Sequence, residues 1–89
     1  HGKGGRYVAQ LEGHEGYLEW EPAAQNGDRA TRVATHTVVP RAIGGRGVAA
    51  QLVDALVADA REHGFTIDPQ CSYVAAKFDQ NPGWADLRA

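Results

Sequence analysis

The sequence is short of cysteine, of basic charge and of long apolar runs, and each shortage removes a class of function. One cysteine, Cys71, cannot build an internal disulfide framework and fits a reducing cytoplasm. Nine Lys and Arg against eleven Asp and Glu leave a net charge of −2, so the basic excess of a sequence-independent nucleic-acid binder is missing. No apolar stretch approaches the roughly 20 residues that span a bilayer, which speaks against a membrane protein. No charged-then-apolar secretory leader opens the chain as given. His1, His14 and His63 lack the spacing of metal ligands, and no metal is expected. There is no internal repeat, low-complexity tract or interdomain linker. What remains is a single domain of 89 residues with a modest core, in which His1 to Gly5 reads as an expression remnant or a frayed terminus.

What is present is clear periodicity. Arg6 to Leu11 alternates Tyr7, Ala9 and Leu11 against Arg6, Val8 and Gln10, as a strand does. After a turn at Glu12-Gly13-His14, Glu15 to Glu21 alternates again, with Leu18 and Trp20 on one face. Asn26-Gly27-Asp28 is turn chemistry. Ala30 to Val39 is dense in β-branched residues and ends at Pro40, which removes a backbone donor. From Gly47 to His63 the stripe Ala49, Leu52, Val53, Leu56, Val57 and Ala60 predicts an amphipathic helix, closed by Gly64. Phe65 to Ile67 predicts a short strand closed by Asp68-Pro69. Ser72 is placed to cap a second helix, Tyr73 to Gln80, after which Trp84 and Leu87 can fold back as a lid. The order β-β-β-α-β-α predicts an α+β fold with a mixed sheet. Its third and fourth strands should be parallel neighbours joined by the long helix.

Chemistry concentrates at Gly44-Gly45-Arg46-Gly47, between the end of a strand and the start of that helix. The first turn of a helix has backbone N–H groups without intrahelical partners and carries a partial positive charge. Glycines let such a main chain curl around an anion, and Arg46 adds a fixed cation, so a phosphate or pyrophosphate is the natural ligand. An ordinary tight turn before a helix accounts for the same letters. The Walker Lys-Ser/Thr signature and the six-residue dinucleotide pattern are both missing.

Beyond the turn, the chain resembles the GNAT acyl-CoA N-acyltransferase superfamily, in particular its small single-domain branch of N-acetyltransferase-like proteins. The resemblance runs from Arg6-Tyr7 to Asp86-Leu87. It is most specific in His36-Thr37-Val38-Val39-Pro40, in Gly45-Arg46-Gly47-Val48-Ala49 with Leu52-Val53, and in Pro69-x-Cys71-Ser72-Tyr73-Val74. It implies acetyl-CoA as acyl donor, held by the backbone of Val38, Val39, Gly44, Gly45, Arg46, Gly47, Val48 and Ala49. The superfamily's pyrophosphate signature is Gln/Arg-x-x-Gly-x-Gly/Ala. Aligned on Gly45 and Gly47 it puts Ala42 at the Gln/Arg position; aligned on Arg41 and Gly44 it puts Arg46 at the small-residue position. The resemblance also implies that the strand ending at Val38-Val39 splays from its neighbour, freeing backbone groups for the pantetheine arm.

Acyl transfer to an amine needs a base, an oxyanion donor and an acid for the leaving thiolate. His36 suits the base by residue type, since imidazole titrates near neutrality; a histidine hydrogen-bonded within the sheet is the competing account. The resemblance implies a backbone N–H near Val38 as oxyanion donor. It also implies Tyr73 as donor of a proton to the leaving sulfur, with a half-buried aromatic whose hydroxyl reaches the surface as the competing account. Cys71 can do likewise, carry the acetyl group or simply pack the sheet. The glutamates of the hairpin are expected on its solvated side, and the tryptophans in the core.

The leading expectation is an acetyl-CoA-dependent N-acetyltransferase acting on an unidentified primary amine, small or protein-borne, by direct attack in a ternary complex. It would be cytoplasmic, and a monomer or weak homodimer. The alternative is a non-catalytic acyl-CoA-binding or protein-interaction module on the same scaffold, since the chain enters its first strand without the helices that wall the acceptor site in fuller members. A third reading is a regulatory protein that uses the sheet edge or the Trp84 surface and no cofactor.

Overall fold

Period-two alternation makes the first hairpin. β1 (Gly5–Leu11) half-buries Tyr7, Ala9 and Leu11 on one face and exposes Arg6, Val8 and Gln10 on the other. It returns to β2 (His14–Pro22) through Glu12 (φ 53°) and Gly13 (φ 80°). Two consecutive positive φ values are those of a type I′ turn, whose twist matches the flanking strands. The turn is therefore tighter than Glu12-Gly13-His14, and His14 pairs with Leu11. The computed structural model describes residues 4–23 and 30–89. His1 to Lys3 and the Asn26-Gly27-Asp28 turn lie outside the described residues.

β3 (Thr31–Val38) lies antiparallel to β2 and parallel to β4 (Thr66–Pro69), giving a mixed sheet in the order β1-β2-β3-β4. The parallel neighbours expected from the crossover are these two strands. β4 starts and ends later than Phe65 to Ile67. Pro69 is tolerated because it terminates the strand, where a missing N–H costs no ladder bond; Phe65 is instead buried under the Arg32 guanidinium.

α1 (Val48–His63) crosses β1 and β2, and Gly64 closes it at φ 76° with its N–H bonded to the Ala60 carbonyl. Its buried stripe is Val48, Leu52, Val53, Leu56, Val57 and Ala60. Val48 takes the place expected for Ala49, since it lies one turn before Leu52. The fully buried Leu18, Leu56 and Ile67 each contribute about 1.5–3 kcal/mol of apolar transfer. α2 (Ser72–Gln80) packs on β3 and β4 through Val74 and Phe78. Ser72 does not cap it. Cys71 occupies the capping position, held extended by its N–H bond to the Ala34 carbonyl. Trp84 and Leu87, in the 3-10 segment Pro82–Leu87, fold back as expected: Leu87 is buried and Trp84 meets the Phe78 ring edge-on.

One irregularity controls the direction of side chains in β3. Glu19 pairs with His36 but Trp20 pairs with Ala34, so Thr35 is an extra residue, a β-bulge whose hydroxyl donates to the Glu19 carbonyl. Strict alternation from the buried Ala34 would point His36 into the core. The bulge inverts the phase, sending His36 to the exposed face and Thr37 inward.

Candidate functional site

The site is built where β3 parts from β4. The parallel pairing stops at Ala34 and Pro69, while β3 continues through Thr35 to Val38. The last backbone link is the Cys71 N–H to the Ala34 carbonyl, 2.8 Å. Beyond it, among the described residues, the β3 edge from Thr35 to Val38 has no strand partner on that side, because β4 ends at Pro69 and the chain turns into α2.

The chain then passes Pro40 into a 3-10 turn, Arg41–Ile43. Ile43 is fully buried and anchors the glycine turn to the core. Gly45 (φ 75°) and Gly47 (φ 79°) are left-handed, with no atom within 4 Å of a Cβ built on either. Gly44 is extended and needs no glycine for its dihedrals. Gly47 caps α1, and the first helical bond runs from Gln51 N–H to its carbonyl, 3.0 Å. The N–H groups of Val48, Ala49 and Ala50 thus have no intrahelical acceptor, no side chain caps them, and no acidic residue occupies the first turn. Val48 can contribute only its main chain, because its side chain is buried.

Gly16 sets this helix end against the sheet. A Cβ there would lie 3.1 Å from the Val48 side chain and 3.3 Å from the Val38 carbonyl. Sequence reading gave Gly16 no role; its place opposite a buried face was the available signal. Arg46 does not point freely at the turn. It forms an ion pair with Glu12 of the β1–β2 turn, a glutamate expected to be merely solvated. Arg41 has no ion-pair partner among the described residues.

Cys71 and His36 occupy opposite sides of β3. The Cys71 sulfur lies 3.4 Å from the Thr37 hydroxyl. Burial pushes its thiol up, but the Thr37 hydroxyl and the N–H groups of Val74, Tyr73 and Thr37 outweigh it and hold the group below its ordinary 9.0. Tyr73 follows in the first turn of α2, partly exposed. His36, 71% exposed, has Nδ1 3.8 Å from Glu19 Oε1. Thr37, which sequence reading missed as a partner, links β3 to the start of α2. Replacing it with valine is expected to raise the Cys71 thiol. Alkylation rate followed against pH would then move toward alkaline pH, and an unmoved profile would show that the hydroxyl has no part in it.

On the His36 side the open sheet face has a groove of about 350 Å³, lined by Arg6, Glu19, Trp20, Glu21, Thr35 and His36 with the start of β1 as its edge.

An unpaired strand edge, a left-handed glycine turn and an uncapped helix end follow one another along the chain. A family model described as GCN5-related N-acetyl-transferase matches residues 6–87. The chain belongs to the GCN5-related N-acetyltransferase family. No curated protein matches it at a significant level. The mixed four-stranded sheet with its two helices is consistent with that family's fold, and the family's activity is transfer of an acetyl group to nitrogen. Among the described residues, no helix is long and apolar enough to cross a membrane.

Proposed function

We propose that this family member binds acetyl-CoA along the β3 edge and the glycine turn and acetylates a primary amine by direct attack. The observation that carries the reading is the juxtaposition of the unpaired β3 edge, Thr35 to Val38, with the uncapped start of α1 behind Gly45 and Gly47. Backbone N–H groups from Gly45 to Ala49 suit a pyrophosphate, and a side chain at either left-handed glycine would strain the turn. The positive φ values favour the signature register that uses Gly45 and Gly47. The β3 edge offers donors and acceptors to an extended arm, with a main-chain N–H near Val38 for the oxyanion. Acetyl-CoA supplies an acetyl group activated as a thioester.

His36 takes the ammonium proton, and the amine nitrogen forms the new C–N bond as the C–S bond breaks. Tyr73 gives a proton to the departing sulfur and recovers one from the newly acylated nitrogen, which ends as a neutral amide. The depressed Cys71 thiol favours a second reading, in which its sulfur accepts the acetyl group first and passes it to the amine. The single free thiol agrees with a cytoplasmic setting.

Calorimetry with acetyl-CoA, followed by a thiol-release assay across amines, tests the proposal. Absence of heat at millimolar ligand overturns it, and binding without release leaves an acyl-CoA-binding module. Intact mass after acetyl-CoA exposure, with Cys71→Ala as control, decides between direct attack and the covalent route.

The Glu12–Arg46 pair gives a quantitative check. Glu12 neutralises the turn's own cation, so Glu12→Gln is expected to tighten acetyl-CoA binding by about two- to fivefold, the worth of one exposed ion pair. Arg46→Ala should weaken it. Unchanged affinity in both would remove Arg46 from the binding surface.

A further inference from the structure

We infer that the groove beside His36 is the acceptor site and that it selects a small amine carrying a second cationic group, as an alkyl diamine does. The inference rests on the proposed acetyl-transfer reading for its chemistry and on the open sheet face for its selectivity.

Size comes first. At the ~30 Å³ that a water-sized unit occupies in liquid, a groove of about 350 Å³ holds on the order of ten heavy atoms. That suits a short amine. The groove also lies on the His36 face of β3, whereas Thr37 points the other way to Cys71. An amine held there reaches β3 from the side of the proposed base.

Charge comes next. Arg6 lies over the Tyr17 ring, 4.2 Å to its centroid, and is ion-paired with Glu19, so these two lining charges cancel. The second oxygen of Glu19 faces His36. Trp20 alternates with Glu19 and Glu21 and turns its ring to the opposite face, where the Arg32 guanidinium stacks at 3.9 Å. Glu21 remains. It lies two residues beyond Glu19 on the same face and has no ion-pair partner among the described residues. The uncompensated charge of the groove is therefore one carboxylate, displaced along β2 from His36. A diamine spans that separation, with its uncharged amine at His36 and its distal ammonium at Glu21. The acetyl group passes from sulfur to the near nitrogen, whose proton leaves through His36, and the distal ammonium keeps its charge throughout.

The test needs no turnover. Diaminobutane is titrated into nitrogen-labelled protein while the Glu21 backbone amide and His36 ring resonances are followed, with aminobutanol, which replaces one ammonium by a hydroxyl, as comparison. Saturable shifts at both residues are expected, with the diamine binding roughly fivefold tighter than the amino alcohol. Glu21→Gln should abolish that preference and Glu21→Lys should reverse it. Equal affinity of the two ligands for the unsubstituted protein, a preference that survives Glu21→Gln, or shifts spread over the other carboxylates would each overturn the inference. Because acetyl-CoA is absent from this titration, failure here is distinct from failure of acetyl-CoA to bind in calorimetry.

Discussion

Asp59→Ala is expected to destabilise the domain by about 2–3 kcal/mol, the largest effect of any single surface-reaching carboxylate in the fold. Asp59 of α1 accepts a hydrogen bond from the Tyr7 hydroxyl of β1, 2.6 Å, and one from Arg32 of β3, 3.1 Å. Arg32 also donates to the Tyr7 oxygen, 2.8 Å, and its guanidinium is stacked between Trp20 and Phe65, 3.9 and 4.1 Å from their centroids. His63, one turn along α1, approaches the other carboxylate oxygen at 3.2 Å. Removing the carboxylate leaves a three-quarters-buried guanidinium without its counter-charge and a half-buried phenol without its acceptor. For a domain of this size, the melting temperature should fall by roughly 10–20 °C. Asp59→Asn keeps an acceptor and should cost about half as much. A loss below about 0.5 kcal/mol in a urea titration would mean that the network contributes shape but little energy.

The same network fixes how stability follows pH. The Tyr7 hydroxyl hydrogen bond, then the charges of Arg32 and His63, hold the Asp59 carboxyl below its ordinary 3.8 against the opposing effect of burial. A depressed carboxyl contributes fully above its unfolded value, and that contribution fades as pH falls through the lower folded value. Tyr7 has the opposite sign. Burial, reinforced by Asp59, pushes its hydroxyl well above the ordinary 10.0. Its contribution is complete below that value and is lost as pH rises past it. Melting curves should therefore begin to approach those of Asp59→Ala as pH falls below about 3.8 and meet them only below the lower folded value, and stability should fall again in strong alkali.

Little of that network was legible in the sequence, although the elements that carry it were. The alternation of Tyr7, Ala9 and Leu11 and the helical stripe from Leu52 to Ala60 are local periodicities, so they placed β1 and α1 within a residue or two. Tyr7, Arg32 and Asp59 meet only after three elements have docked, and no spacing along the chain records that. The site divides in the same way. The glycine turn was readable because positive φ demands glycine at Gly45 and Gly47. The Glu12–Arg46 pair depends on where the hairpin turn lands in space. Ser72 looked like the cap because serine suits that position. A tertiary bond from the Cys71 N–H to the Ala34 carbonyl moved the cap by one residue. The bulge at Thr35 was the deepest omission. A run of β-branched residues reads as a strand whether or not one of them is extra, yet that extra residue decides which face His36 uses.

His36→Gln is expected to lower kcat/KM for acetyl transfer by a hundredfold or more while acetyl-CoA binding in calorimetry is unchanged. The argument starts from the bulge. With Thr35 inserted, His36 shares a face with Glu19 and the groove, and its Nδ1 is turned toward the carboxylate. Nε2 is then the nitrogen left to accept a proton. Glu19→Gln should give a smaller loss, since it removes the orienting charge but leaves the imidazole. The reading of direct attack makes a further demand. Consecutive strand residues point oppositely, so an amine arriving beside His36 meets β3 from the side away from the Thr37–Cys71 contact. Cys71→Ala should then leave most of the activity. If instead Cys71→Ala costs as much as His36→Gln, and an acetylated protein accumulates without amine, the sulfur carries the acetyl group. His36 would in that case serve the second transfer alone. A direct attack thus requires unequal losses at two residues one strand apart, and the ratio of the two rates measures it.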